Sequence, residues 1–475
     1  IGELMIIVPA NTLAAGGFSV ANSCRFNSAD SAYMHKTLGT ATSEKKFTFS
    51  AWFKRGLFTG NQQIFNVGPD GSDNWETGIR IRAPSDYDIH CTFDDGSTGS
   101  NSQLITTAEY RDPSAWMHVV FAVDTTQSTE ANRMKMYVNG VQMNDAHTYV
   151  NTYPSLNDDC DAMDSGNTIA VGRRTSETTA YFDGYMAEVG FVDGTAYAAS
   201  DFGEYDEDSP TIWKPKDVSG LTFGNNGFYL DFESSSNLGN DKNGGTDLTE
   251  VNLAAADQAT DTPTNNFCTL NPIFKSGAFT SSTGAVVLSE GNCHLAEATH
   301  AVTCGTMAVT KGKYYWEVKL NGDDYAFGVL GTTPGGNAAH SYNDNTAYGI
   351  YVHSSGGNTI TAGSWSGSSI YTGTGIYMIA IDVDNNKLWC GKDGSWTGDP
   401  AAGSGNSVTL GTHEYAPWFH SAGTGGTNTA DVNFGGCSAF TISSANQDGN
   451  GYGNFEYAVP SGFYSLCTKN LAEYG

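Results

Sequence analysis

Basic residues are scarce in this chain of 475. Its 23 lysines and arginines face 51 aspartates and glutamates, a formal net charge of -28, so a phosphate backbone is repelled over most of the surface. No nucleic-acid partner is expected. Leu/Ala/Glu/Lys-rich stretches able to sustain long helices are nearly missing as well. No run approaches the roughly 18 apolar residues of a membrane span, so no membrane insertion is expected. The opening Leu4-Met5-Ile6-Ile7-Val8 is too short, and too soon followed by Pro9, for a signal peptide. The nine cysteines lie far apart, with no CxxC and no Cys/His set at ligand spacing, which argues against a zinc site and against a dense disulfide framework. Most read as reduced, buried thiols, as Cys390 does in Leu388-Trp389-Cys390. A pairing of Cys293 with Cys304 is left open.

What is present is glycine, 57 residues of it, and 12% aromatics. That balance favours many short strands joined by tight turns. The acidity keeps such a chain soluble and discourages sheet edges of separate copies from pairing.

Period-two alternation recurs along both halves. In Phe47-Thr48-Phe49-Ser50-Ala51-Trp52-Phe53, residues 47, 49, 51 and 53 share one face. Trp116 to Val123 is apolar on nearly both faces, as in a strand covered on two sides. Met134, Met136 and Val138 alternate up to Asn139-Gly140, the strongest short-range hairpin signal. A short helical turn is expected near Ala198 to Phe202. Further on, Tyr314, Trp316, Val318 and Leu320 point inward while Glu317 and Lys319 point to water, and Tyr377 to Val383 turns through Asp384-Asn385-Asn386 into Lys387-Leu388-Trp389-Cys390. Between them, from Glu233 to Pro272, turn chemistry dominates. The predicted fold is all-β, with two antiparallel β-sandwich (jelly-roll-like) domains in tandem: 1–45 packing on the first domain, 46–232 the first sandwich, 233–272 a linker, and 273–475 the second sandwich.

Gly312-Lys313-Tyr314-Tyr315-Trp316-Glu317-Val318, Ala326-Phe327-Gly328-Val329, Ile379-Ala380-Ile381-Asp382, Lys387-Leu388-Trp389, Gly394-Ser395-Trp396, Tyr415-Ala416-Pro417-Trp418 and Val432-Asn433-Phe434-Gly435 come in the order and spacing of the SPRY (B30.2-like) domain. The second half resembles that family over roughly 275 to 470. Phe49 to Arg55, Trp116 to Val119, Met136 to Gly140 and Phe182 to Val189 make the first half similar to a concanavalin A-like, laminin-G-type sandwich. The pairing, with Pro9-Ala10-Asn11-Thr12-Leu13 at the start and Asp261 to Phe267 at the junction, resembles structural proteins of tailed phages, marine ones in particular. The resemblance implies a virion component, folded in a host cytoplasm and carried on the extracellular particle.

Concanavalin A-like folds also host glucanases, which need paired carboxylates across the scissile bond. No ExDxxE run occurs. The nearest set, Glu204-Tyr205-Asp206-Glu207-Asp208, reads as a solvated charge run, leaving a polysaccharide depolymerase as an alternative. There is no GxSxG elbow, and His118 and His353 read as satisfied strand residues. No enzyme, metal or cofactor is therefore expected. Calcium at Asp70, Asp73, Asp94 and Asp95, in two Gly-rich loops, is the alternative, although turn formation by Asp-Gly explains the same residues more cheaply. Sugar recognition requires aromatic faces among polar groups, and Tyr342, Trp365, Tyr371 and Trp396 sit among Gly, Ser and Asn. Trp365 is the leading exposed candidate, whereas Trp396 belongs to a strand motif and is expected to pack on the sheet. The resulting expectation is a tail-fibre, spike or head-decoration subunit, homo-oligomeric or arrayed on the particle. It contacts other virion proteins and presents loops to host-surface glycan or protein. A purely structural cement protein is the rival.

Overall fold

Phe47, Phe49, Ala51 and Phe53 do lie on one face of a ten-residue strand, Lys46–Arg55, and all four enter one buried cluster. The computed structural model describes residues 17–69, 77–82, 86–95, 102–176, 178–274, 276–277, 286–297, 301–331, 344–368, 371–421 and 429–475. Strand accounts for 43% and helix for 5%, and the chain divides between residues 264 and 265 into two compact units. Both are sandwiches of the jelly-roll class.

In the first unit one sheet runs, in spatial order, Val141–Gln142, Met134–Val138, Met117–Asp124, Lys46–Arg55, Gly184–Asp193, Ser23–Phe26 and Gln258–Ala259, with Phe228–Leu230 also paired to Gly184–Asp193. The facing sheet runs Thr148–Thr152, Ser102–Thr106, Ile89–Phe93, Thr77–Ile81, Gln62–Gly68, Thr168–Val171, Tyr33–Thr37 and Thr249–Val251. Phe49 of the first sheet stacks on Phe65 of the second with centroids 4.0 Å apart. Each such ring, fully buried, contributes roughly 1.5–3 kcal/mol. The hairpin at Asn139-Gly140 has φ of 48 and 79, the two positive values that a type I′ turn demands. The expected helical turn is the 3-10 segment Ala199–Asp201.

Of the segment 233–272 read from the sequence as linker, residues 233–264 are part of this first sandwich. Thr249–Val251 pairs with Tyr33–Thr37, and Gln258–Ala259 with Ser23–Phe26. What fixes them is Asp261. Its Oδ2 meets Lys54 Nζ at 2.7 Å, and both side chains are buried. Its Oδ1 accepts from Trp116 Nε1 at 2.9 Å, and its backbone oxygen accepts from Ser23 Oγ at 2.6 Å. The described part of 1–45 likewise supplies two integral strands. Very short edge strands separated by Asn, Asp and Gly carry too little alternation to be seen in sequence.

In the second unit one sheet runs Ser276–Gly277, Ala301–Cys304, Tyr415–Ser421, Tyr325–Gly331, Ala347–Val352, Gly357–Thr361 and Ser364–Ser368. The other runs Val286–Ser289, His294–Glu297, Thr429–Asn433, Lys313–Leu320, Gly375–Asp382, Lys387–Lys392 and Ser395–Trp396, with Tyr464–Ser465 parallel to Lys313–Leu320. Phe327 meets Tyr377 edge-on across the core at 5.5 Å. Glu317, expected to face water, is fully buried. Its carboxylate accepts from Tyr315 Oη (2.9 Å), Asn433 Nδ2 (3.2 Å) and the backbone N–H groups of Glu456 (3.0 Å) and Tyr457 (2.8 Å). Alternation assumes one wet face, but here Phe455 and Phe463 join Tyr315, Met378 and Trp389 in a second apolar layer outside the sheet. Lys319 lies with its Nζ 5.8 Å from the Phe440 ring.

All nine cysteines are thiols, and Cys293 is not bonded to Cys304. Among the described residues no helix is long and apolar enough to cross a membrane.

Candidate binding site

The outer face of the first unit's first sheet is covered by a second layer, with Val120 and Val192 of the sheet meeting Ala199, Phe202, Val218 and Phe223. At one end of this layer, Gly203–Tyr205 pairs with Trp213–Pro215, placing Tyr205 opposite Trp213. Their rings meet edge-on at 4.9 Å.

Beneath them runs an aromatic column. Trp213 stacks over His118 at 6.1 Å, and His118 over Trp52 at 4.7 Å. Two glycines admit the Trp213 ring, since a Cβ at Gly140 or at Gly203 would come within 2.5 Å of it. The column runs from fully buried imidazole through half-buried indole to Tyr205, which is 45% exposed. Around it opens a shallow cavity of about 390 Å³, lined by Tyr137, Ser200, Glu204, Tyr205, Trp213 and Lys216 among others. Flat rings flanked by a hydroxyl, a carboxylate and an ammonium are what a sugar's apolar face and hydroxyl rim require.

The same column contains a serine–histidine pair, and its geometry assigns it a structural role. Trp213 Nε1, a donor only, bonds His118 Nδ1 at 3.0 Å. The ring proton therefore sits on Nε2 and is donated to Ser50 Oγ, 2.8 Å away. A histidine acting as base on that hydroxyl would need Nε2 unprotonated, with a carboxylate holding Nδ1–H. Burial holds the His118 pKa down to about 3, so the imidazole stays neutral near pH 7.

Asp206 accepts from the N–H groups of Asp208 (3.0 Å) and Ser209 (2.9 Å) and from Lys214 Nζ (3.2 Å), while Glu204 Oε1 lies 3.7 Å from Lys214 Nζ. The acidic run is thus a lysine-tied turn that carries Tyr205.

Of the aromatic candidates from sequence, Tyr342 lies outside the described residues, as do Asp70 and Asp73. Trp365 is 39% exposed on the edge strand Ser364–Ser368, its ring 4.9 Å from Tyr351. The Tyr351 hydroxyl donates to Asp324 Oδ1 at 2.8 Å, and its ring stacks on His353 at 5.9 Å. Tyr371 is buried, its hydroxyl donating to Ser407 Oγ at 3.0 Å. Trp396 packs on Tyr315 at 6.2 Å in the outer apolar layer of the other sheet. These residues do not form one surface, since Trp365 stands at the edge of one sheet, Trp396 lies over the other, and Tyr371 is internal. Asp94 is buried too. Among the described residues no group of three or more His, Cys, Asp or Glu side chains is placed to hold a metal ion.

Sequence reasoning passed over Tyr205 and Trp213 as a site. The signal was an aromatic inside the acidic run, and a Trp eight residues on, within reach of a short hairpin.

Residues 27–199 match a laminin-G-type family model described as the concanavalin A-like lectin/glucanases superfamily. No curated protein matches the chain. Among solved structures, the SAP-like pentraxin of Limulus polyphemus is similar at 16% identity, covering 38% of this chain and 80% of that one with a TM-score of 0.29. The LG1-3 region of the laminin α2 chain is similar at 9% identity, covering 87% and 62%, TM-score 0.34. The SPRY domain of human HERC1 is similar at 12% identity, covering 36% and 99%, TM-score 0.27. It is the family model, over residues 27–199 of the first unit, that matches a concanavalin A-like, laminin-G-type domain.

Proposed function

We propose that this chain is a non-enzymatic adhesion or structural protein of a tailed-phage particle, a tail fibre, spike or head decoration. It presents the first unit's aromatic cavity to host-surface glycan, in many copies on the virion. The reading is supported by the phage-like pairing of sequence motifs, by the lectin-type description of the family that matches residues 27–199, and above all by Tyr205 and Trp213 standing over a shallow cavity. A stiff double sheet holds that pair in place before any ligand arrives, which lowers the entropy cost of binding. Shallow, wet contacts are individually weak, and repetition on a particle multiplies them.

Labelled full-length protein incubated with candidate host cells, and with an array of their glycans, tests the reading. Saturable adsorption is expected, weakened about tenfold or more by Tyr205→Ala, in line with loss of a central aromatic contact, with thermal stability retained. Adsorption to particles alone would indicate a cement protein, and release of reducing ends from the glycan would indicate a depolymerase. Either result overturns the proposal.

A further inference from the structure

A second cavity of the first unit contains a residue that neither the fold nor the aromatic site accounts for. The pairing of Gly184–Asp193 with Lys46–Arg55 slips between Ala187 and Gly190, and at that bulge Glu188 adopts φ 50. A side-chain-bearing residue held there is strained. Glu188 lines a cavity of about 360 Å³ and is only 8% exposed. The Tyr229 hydroxyl donates to its Oε2. The other oxygen, Oε1, has no hydrogen-bond partner among the described residues.

The rest of the lining is of two kinds. Phe18, Phe223 and Tyr229 give aromatic surface, Phe223 and Tyr229 being stacked at 6.1 Å, and Val20 and Ala21 extend it. Asp217, Asp231 and Glu233 give carboxylates. Lys242 is the cation among the described lining residues, and it is engaged by Asp231 at 2.9 Å and Glu233 at 2.6 Å. Three carboxylates against one ammonium, beside a buried carboxyl, leave the cavity short of positive charge.

A hard metal ion wants six to eight oxygen ligands, which a wall half made of Phe, Val and Ala does not offer. An ammonium carrying alkyl groups satisfies both halves of the lining, because aromatic faces attract it through their quadrupoles while carboxylates take its charge. We infer that this cavity binds an organic ammonium group, with its charge against Glu188 and Asp217 and its alkyl surface against Phe18, Phe223 and Tyr229. This site is distinct from the aromatic cavity at Tyr205, and its test is independent of glycan binding.

Binding is coupled to a proton. Burial, with Asp231, Glu233 and Asp217 adding to it, raises the Glu188 carboxyl to about 8, so at neutral pH it is mostly protonated and a bound cation must expel that proton. Among the groups that face it, the Ser219 N–H lowers Asp217, the carboxylate of Glu233 raises Lys242, and burial raises Tyr229.

The experiment is calorimetric titration of the full chain with tetramethylammonium, and with tert-butanol as an uncharged relative, between pH 6 and 9 in buffers of different ionisation heat. The expected result is saturable binding of tetramethylammonium only. Affinity should rise about tenfold per pH unit below 8, with one proton released per ligand, and level off above it. Glu188→Gln should remove both the pH dependence and the proton release. Glu188→Gly, whose backbone accepts the positive φ without strain, should fold and lose binding. Equal binding of tert-butanol, no saturable tetramethylammonium binding at pH 9, or a pH-dependent affinity that survives in the folded Glu188→Gly protein each overturns the inference.

Discussion

Each sandwich fastens a late stretch of its chain to one sheet through a buried carboxylate, but the two carboxylates are satisfied in opposite ways. In the first unit Asp261 is held by the Lys54 ammonium and the Trp116 indole. In the second, Glu317 is held by a phenol, an amide and two backbone N–H groups. A charge pair out of water is costly to assemble and costlier to halve, whereas neutral donors leave no counter-charge behind when the carboxylate goes. The comparison teaches that similar sandwiches can fail differently.

The sharpest way to break the comparison is Lys54→Met, which leaves Asp261 buried without its counter-charge. A loss of about 3–5 kcal/mol is expected, read from denaturant unfolding. Adding Asp261→Leu should restore a good part of it. If the double variant is no better than the single, the pair is not the holding interaction.

Acid probes the same unit through two histidines. Burial holds both His118 and His90 at about 3, below the ordinary 6.5, with Arg80 and Arg82 also lowering His90. A histidine depressed in the folded state binds its proton more readily when unfolded, so stability is present above about pH 6.5 and is lost as pH falls toward 3. At pH 5 the expected loss is about 2 kcal/mol for each. His118→Gln should flatten the slope by about half, measured as the unfolding midpoint between pH 5 and 7.

For the second unit, Glu317→Gln keeps the shape but presents an amide N–H₂ where donors already point. A loss of about 1–3 kcal/mol is expected, with exposure of the 455–457 segment read by amide exchange at Tyr457. Gly140→Ala should cost about 1 kcal/mol through its positive φ, and more as its Cβ displaces the Trp213 ring, loosening the aromatic cavity. Trp365→Ala, at an exposed edge, is expected to cost less than about 1 kcal/mol and to leave both unfolding transitions in place.

Much of the fold was legible. Alternation in Lys46–Arg55 and Gly375–Asp382 gave the strands, and Asn139-Gly140 gave a hairpin because few dipeptides accept two positive φ values. The outward reading of Glu317 failed because alternation says which residues share a face and nothing about what covers the far one. The reading of 233–272 as linker failed over 233–264 for a related reason: Asp261 reveals its role only when Lys54, 207 residues away, is beside it. Among the site residues, Trp365 was legible as exposed because Gly and Ser surround it. Tyr205, Trp213 and Glu188 were not, since an acidic turn and an apolar strand look alike whether or not a cavity opens beside them.

By itself the sequence determined the class of structure, because side-chain period and turn chemistry act over a few residues. It also determined the acidic surface, because charge adds up without regard to position. Tertiary structure alone decided which carboxylates are buried, which tautomer His118 takes, and which aromatics meet at a cavity. Those properties depend on groups far apart in the chain being brought within a few ångströms and cut off from water, which no local pattern encodes.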